Sequence, residues 1–73
     1  MGFVTTAAEI IAFLRSKGFA IETGRGRHGT KAVMEEQRIP IPLHPGDLPP
    51  GTARRILNIA GYTISDFLKW RRQ

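Results

Sequence analysis

Thr30-Lys31-Ala32-Val33-Met34-Glu35-Glu36-Gln37-Arg38-Ile39-Pro40-Ile41-Pro42 reads as two strands joined by a turn, and its second half decides the fold. Alternation puts Ile39 and Ile41 on one side. Pro40 and Pro42, two apart, withhold amide donors from the same flank of the ladder. That flank must be a sheet edge. The spacing predicts strands over 30–35 and 38–42 with Glu36-Gln37 as the hairpin turn, and Phe19-Ala20-Ile21-Glu22 alternates as a shorter strand over 19–22.

Helical signals flank this sheet on both sides. Thr6-Ala7-Ala8-Glu9 is a capping box in which hydroxyl and carboxylate satisfy backbone donors at a helix start. Ala7, Ile10, Ile11 and Leu14 then fall at i, i+3, i+4 and i+7, and Lys17-Gly18 supplies a cation and a left-handed stop, so a helix is predicted over 7–17. Residues 43–51, with three prolines and two glycines, read as an ordered connection. Beyond it Ala53, Ile56, Leu57 and Ala60 repeat the helical spacing, with Thr52 placed to cap the start and Gly61 to close the end. Thr63-Ile64-Ser65-Asp66 opens a short third helix with Ile64, Phe67 and Leu68 on one face. The order helix, three strands, helix, short helix predicts an α+β two-layer sandwich: an antiparallel meander with both main helices on one face.

The 73 residues make one small domain, 1–73, and 41% hydrophobic content argues for a folded chain. Eleven Lys and Arg against six Asp and Glu give +5, which points to an anionic partner. The charge is local: Arg15, Lys17, Arg25, Arg27 and Lys31 face only Glu22. With no cysteine there is no disulfide framework and no thiolate zinc site, and a reducing cytoplasm is compatible. No apolar run approaches a membrane span and the start lacks signal-peptide features, so the chain reads as cytoplasmic with no membrane partner. Met1-Gly2-Phe3-Val4-Thr5-Thr6 formally fits a myristoylation pattern, but Thr6 has its better use in the capping box.

Gly24-Arg25-Gly26-Arg27-His28-Gly29 sets one imidazole among two guanidiniums, with glycines that allow backbone and phosphate to approach. RNA cleavage through the 2′-hydroxyl needs a group of near-neutral pKa to move a proton and fixed cations to stabilise charge on the phosphate. The run can supply both. Alone, however, a Gly-Arg-Gly-Arg run is more often a solvated hairpin turn.

The surroundings change that balance. Ile10-Ile11-Ala12-Phe13-Leu14 leads to Lys17-Gly18-Phe19; the glycine-basic loop ends in His28; Ile39-Pro40-Ile41-Pro42-Leu43-His44 follows. Then come Gly46-Asp47-Leu48-Pro49-Pro50-Gly51-Thr52 and Arg54-Arg55-Ile56-Leu57-Asn58-Ile59-Ala60-Gly61-Tyr62. In that order and spacing the pieces resemble the HicA-type mRNA interferase toxins of bacterial and archaeal toxin-antitoxin pairs. The resemblance implies a double-stranded-RNA-binding-domain-like fold and an endoribonuclease that cleaves mRNA without needing the ribosome. It also implies growth arrest until a HicB-type antitoxin binds, covering His28. The family's Gly-Ser-His motif carries its catalytic histidine; Gly26-Arg27-His28 occupies that place, with Arg27 where the serine stands.

His28 is accordingly the candidate catalytic residue, withdrawing the 2′-hydroxyl proton or protonating the leaving oxygen. Arg25, Gly26, Arg27 and Lys31 are candidates for holding the phosphate; Arg54 and Arg55, read as the first turn of the second main helix, either grip another or form a solvated helix face. His44 could carry a second proton, although a loop side chain bonded to backbone is the simpler reading. Two imidazoles without a carboxylate neighbour make an incomplete metal site, so no metal and no other cofactor is expected. Arg15 and Lys17 complement a helix dipole. Lys69, Arg71 and Arg72 read as a solvated tail, and Trp70 as a core or partner-facing ring more than a base-stacking one. Two other functions fit the same charge: a non-catalytic RNA-binding module, and a domain that engages an acidic protein.

Overall fold

The hairpin turns one residue earlier than its sequence predicts. In the computed structural model, which describes residues 4–23, 29–43 and 46–72, the order is α1 (Ala7–Ser16), β1 (Ala20–Thr23), β2 (Thr30–Met34), β3 (Gln37–Ile41), α2 (Pro50–Ala60) and α3 (Ile64–Arg71). Glu35 and Glu36 form the turn, with Glu35 at φ 53°, and Met34 pairs with Gln37. Gln37 belongs to the strand because the alternation of Ile41 and Ile39 brings it to the same face. There its amide donates to the Ile59 carbonyl at 2.6 Å, pinning the hairpin to the end of α2.

The three strands form an antiparallel meander in the order β1-β2-β3, so β3 lies at an edge as its prolines require. Register aligns Ile21, Ala32 and Ile39 across the sheet on the covered face. The neighbouring row runs Thr23, Thr30, Ile41. α1 packs on β1 and β2, and α2 on β3. Ile10, Leu14, Ile56 and Leu57 close this face, all at most 4% exposed.

The expected capping box at α1 forms, and a second stands at the start of α3. Thr6 Oγ1 accepts from Glu9 N–H and Glu9 Oε1 from Thr6 N–H, while Thr63 and Asp66 repeat the exchange at α3. Gly18 at φ 100° ends α1 and Gly61 at φ 95° ends α2, left-handed positions where a Cβ would be strained. The start of α2 departs from the sequence reading. Pro49 is its cap and Pro50 its first residue, with no side-chain capping bond, so Thr52 lies inside the helix and the connection is two residues shorter. Proline's fixed φ presets a helix start, and the first helical residue needs no amide donor. Before it, Leu48 N–H donates to the Thr5 carbonyl at 2.8 Å and Asp47 bridges Thr6, fastening the connection beneath α1.

Phe13 lies off the predicted stripe of α1, yet it is fully buried, and Ile11 only partly. The reason is α3. Tyr62, Phe67 and Trp70 set their rings edge-on to Phe13 at 5.2, 5.4 and 5.4 Å, so α1 is covered on a second side. Arg71 closes the arrangement, donating to the Val4 carbonyl at 2.6 Å and pairing with Glu9 at 3.6 Å.

Candidate nucleic-acid interface

Among the described residues, no helix covers the second face of the sheet. Across it run two rows, Glu22-Lys31-Pro40 and Ala20-Val33-Arg38, opposite in alternation to the buried Thr30, Ala32, Ile39 and Ile41. Lys31 is half-buried and Arg38 exposed. They sit diagonally across the β2–β3 pair, a relation that brings Cβ atoms within roughly 7–8 Å. Arg38 is absent from the sequence-derived candidates. Its signal was available: period two places it on the side opposite Ile39.

β1 and β2 are paired up to Thr23 and Thr30, and the glycine-arginine segment joins them at that end. Arg25, Gly26, Arg27 and His28 lie outside the described residues, as does His44. Their described neighbours come close. A Cβ added to Gly29 would lie 3.8 Å from Leu43 Cδ1, so the residue after His28 and the residue before His44 lie near one another at one end of the sheet.

Arg54 and Arg55 are exposed on α2, but in its second turn and not its first, because the helix begins at Pro50. Amide donors of the first turn come from Gly51 and Thr52, since Pro50 has none and Ala53 N–H already donates to the Pro49 carbonyl at 3.1 Å. At 100° per residue Arg55 points opposite the buried Ala53, Ile56 and Leu57. The structure therefore puts Arg55 on the outside of the helix layer and Lys31 on the far face of the sheet. The two candidate phosphate contacts do not share a surface.

Lys17 does more than complement a dipole. Its ammonium lies 5.4 Å from the Phe13 ring centre and 5.7 Å from that of Tyr62. Among the described residues no group of three or more His, Cys, Asp or Glu is arranged to hold a metal ion. No described helix is long and apolar enough to cross a membrane.

Comparison with curated proteins gives no match. The family model for the HicA toxin of bacterial toxin-antitoxin systems matches residues 7–62. That segment begins with α1 and ends at Tyr62, just past α2, taking in the whole sheet and both connections that carry a histidine. α3, which covers Phe13, lies beyond it. With most of its length matched, the chain belongs to the HicA toxin family, which brings with it a ribonuclease role, an RNA substrate and an antitoxin partner in general terms.

Proposed function

We propose that the protein is a metal-independent endoribonuclease that cuts mRNA in the cytoplasm, arrests translation and growth, and is silenced by a HicB-type antitoxin covering His28. The observation that carries this reading is the family match over residues 7–62, which spans Gly26-Arg27-His28. The imidazole moves the proton: the 2′-oxygen gives it up as its bond to phosphorus forms, and the leaving 5′-oxygen takes one as its bond breaks. One histidine serves both steps through exchange with water. Arg25, Arg27 and Lys31 stabilise the charge on the phosphate oxygens, and Gly26 lets the strand approach. Arg54 and Arg55 add contacts along a longer RNA, on another side of the domain from Lys31. An antitoxin inhibits by occupying the same cationic end, so acidic groups on its contact face are expected.

The test is an end-labelled mRNA incubated with wild type and with His28→Ala in excess chelator. Cutting by the wild type and a loss of about 10²- to 10⁴-fold in the variant, with RNA affinity nearly unchanged, is the expected result. Equal cutting by both proteins removes His28 from the mechanism. Salt-sensitive binding without any cutting replaces the nuclease by an RNA-binding module.

A further inference from the structure

Behind the aromatic cluster, where α1 and α2 end, lies an open surface pocket of about 340 Å³ lined by the exposed Lys17, Gly61, Asp66 and Lys69 and the partly buried Tyr62 and Trp70. Its volume suits one small planar ligand. Tyr62 and Trp70 contribute aromatic atoms to its lining, Trp70 with its ring also stacked on Phe67 at 5.9 Å. Lys17 is held at the rim by the Phe13 and Tyr62 rings, and Lys69 comes from α3. Asp66 is fixed by its cap, Oδ2 accepting from Thr63 N–H at 2.9 Å. A carboxylate accepts at about four lone-pair sites, so the cap leaves Asp66 with acceptor capacity. Those hydrogen bonds from Thr63, with smaller help from Lys69 and Lys17, hold its carboxyl below the usual aspartate value, and it is ionised at neutral pH.

A simple anion does not match this set, because Asp66 would repel it. A ligand that offers acceptors and donors side by side on a flat ring does match. Resting on the reading that the substrate is RNA, the geometry points to a subsite for a single-stranded guanine, held against Trp70 and Tyr62. Lys17 and Lys69 donate to its O6 and N7, and Asp66 accepts from N1–H and N2–H. Single-stranded RNA is read in this manner, by stacking on aromatic rings and hydrogen bonding to exposed base edges. Guanine alone among the four bases joins two adjacent donors to an acceptor edge that lysine recognises. Asp66, Lys69 and Trp70 all lie beyond the family-matched segment, so the subsite is a property of this chain's third helix. Lys17 precedes the Ala20 end of β1, whereas the glycine-arginine segment follows its Thr23 end, so the subsite reads a base away from the cut bond.

Trp70 is the only tryptophan, and its emission reports the pocket directly. Full-length protein carrying His28→Ala, which keeps the strand intact, is titrated with 3′-labelled UUGUU, UUAUU and UUUUU. Trp70 emission and label anisotropy are read together. UUGUU is expected to change Trp70 emission and to bind about tenfold more tightly than the other two. Asp66→Asn, which keeps an oxygen for the cap, is expected to erase most of that preference. Lys17→Gln with Lys69→Gln, with folding checked by circular dichroism, is expected to weaken UUGUU about tenfold. The subsite is overturned by any of several outcomes: no oligonucleotide binds, anisotropy rises with Trp70 unchanged, the three sequences bind alike, or Asp66→Asn keeps the preference. Equal affinity for free GMP and for UUGUU overturns the assignment to a strand. Cutting by wild type with an unresponsive Trp70 refutes the subsite alone, whereas a responsive Trp70 with no cutting refutes the nuclease alone.

Discussion

The two faces of the sheet are built from the same three strands and have opposite duties. The covered face aligns Ile21, Ala32 and Ile39 beneath two helices, whereas the open face sets Lys31 and Arg38 around Val33 and Pro40. Alternation of period two is the whole difference between them. Because a slip of one residue would exchange the faces, the Glu35-Glu36 turn that fixes the register governs stability and surface chemistry together.

Truncation on the covered face is the strongest way to test that division. Ile39 is 1% exposed, and Ile39→Ala is expected to lower unfolding free energy by about 2–5 kcal/mol in urea titrations. A domain of this size has roughly 4–11 kcal/mol in total at about 0.05–0.15 kcal/mol per residue, so the variant approaches unfolding. A loss near zero would show that the covered face is not the core. At the turn, Glu35→Gly relieves a left-handed residue costing about 1–2 kcal/mol, offset by glycine's greater chain entropy. A net gain of about 0.5–1 kcal/mol in thermal or urea melts is expected, and a loss would mean that Glu35 has a bonding role.

On the open face, Lys31→Ala with Arg38→Ala is expected to leave stability within about 0.5 kcal/mol. RNA binding should weaken, and the slope of log affinity against log salt should fall by about 1.4, at roughly 0.7 for each single-strand phosphate no longer neutralised. An unchanged slope would take the open face out of RNA binding.

The smallest effect belongs to the helix layer. Asp66 has its carboxyl lowered first by the Thr63 amide, so the α3 cap contributes stability at neutral pH and loses it as pH falls through that lowered value. Melting temperature should drop slightly more in acid for wild type than for Asp66→Asn; identical acid profiles would mean the cap is not linked to protonation.

The sheet was largely legible from sequence because each strand carries its alternation within a few residues, and Pro40 and Pro42 mark the edge chemically. The aromatic side of α1 was not. A stripe through Ala7, Ile10, Ile11 and Leu14 assumes that a helix buries one face, and Phe13 became core only because Phe67 and Trp70, far later in the chain, fold back on it. Thr52 misled for a local reason: a hydroxyl before a helical repeat resembles a cap, but Pro49-Pro50 had already started the helix. Of the site, Lys31 was readable from its strand. Arg54 and Arg55 were readable as exposed cations; their separation from Lys31 follows from the expected covering of the Ile39 face by α2, but only the strand register fixes Lys31 on the other face.

Arg71 bonded to the Val4 carbonyl brings the two ends of the described chain together. A short peptide spliced between Val4 and Arg72 would form a closed ring at little entropic cost, leaving the Glu35-Glu36 turn and both histidine-bearing connections uncut.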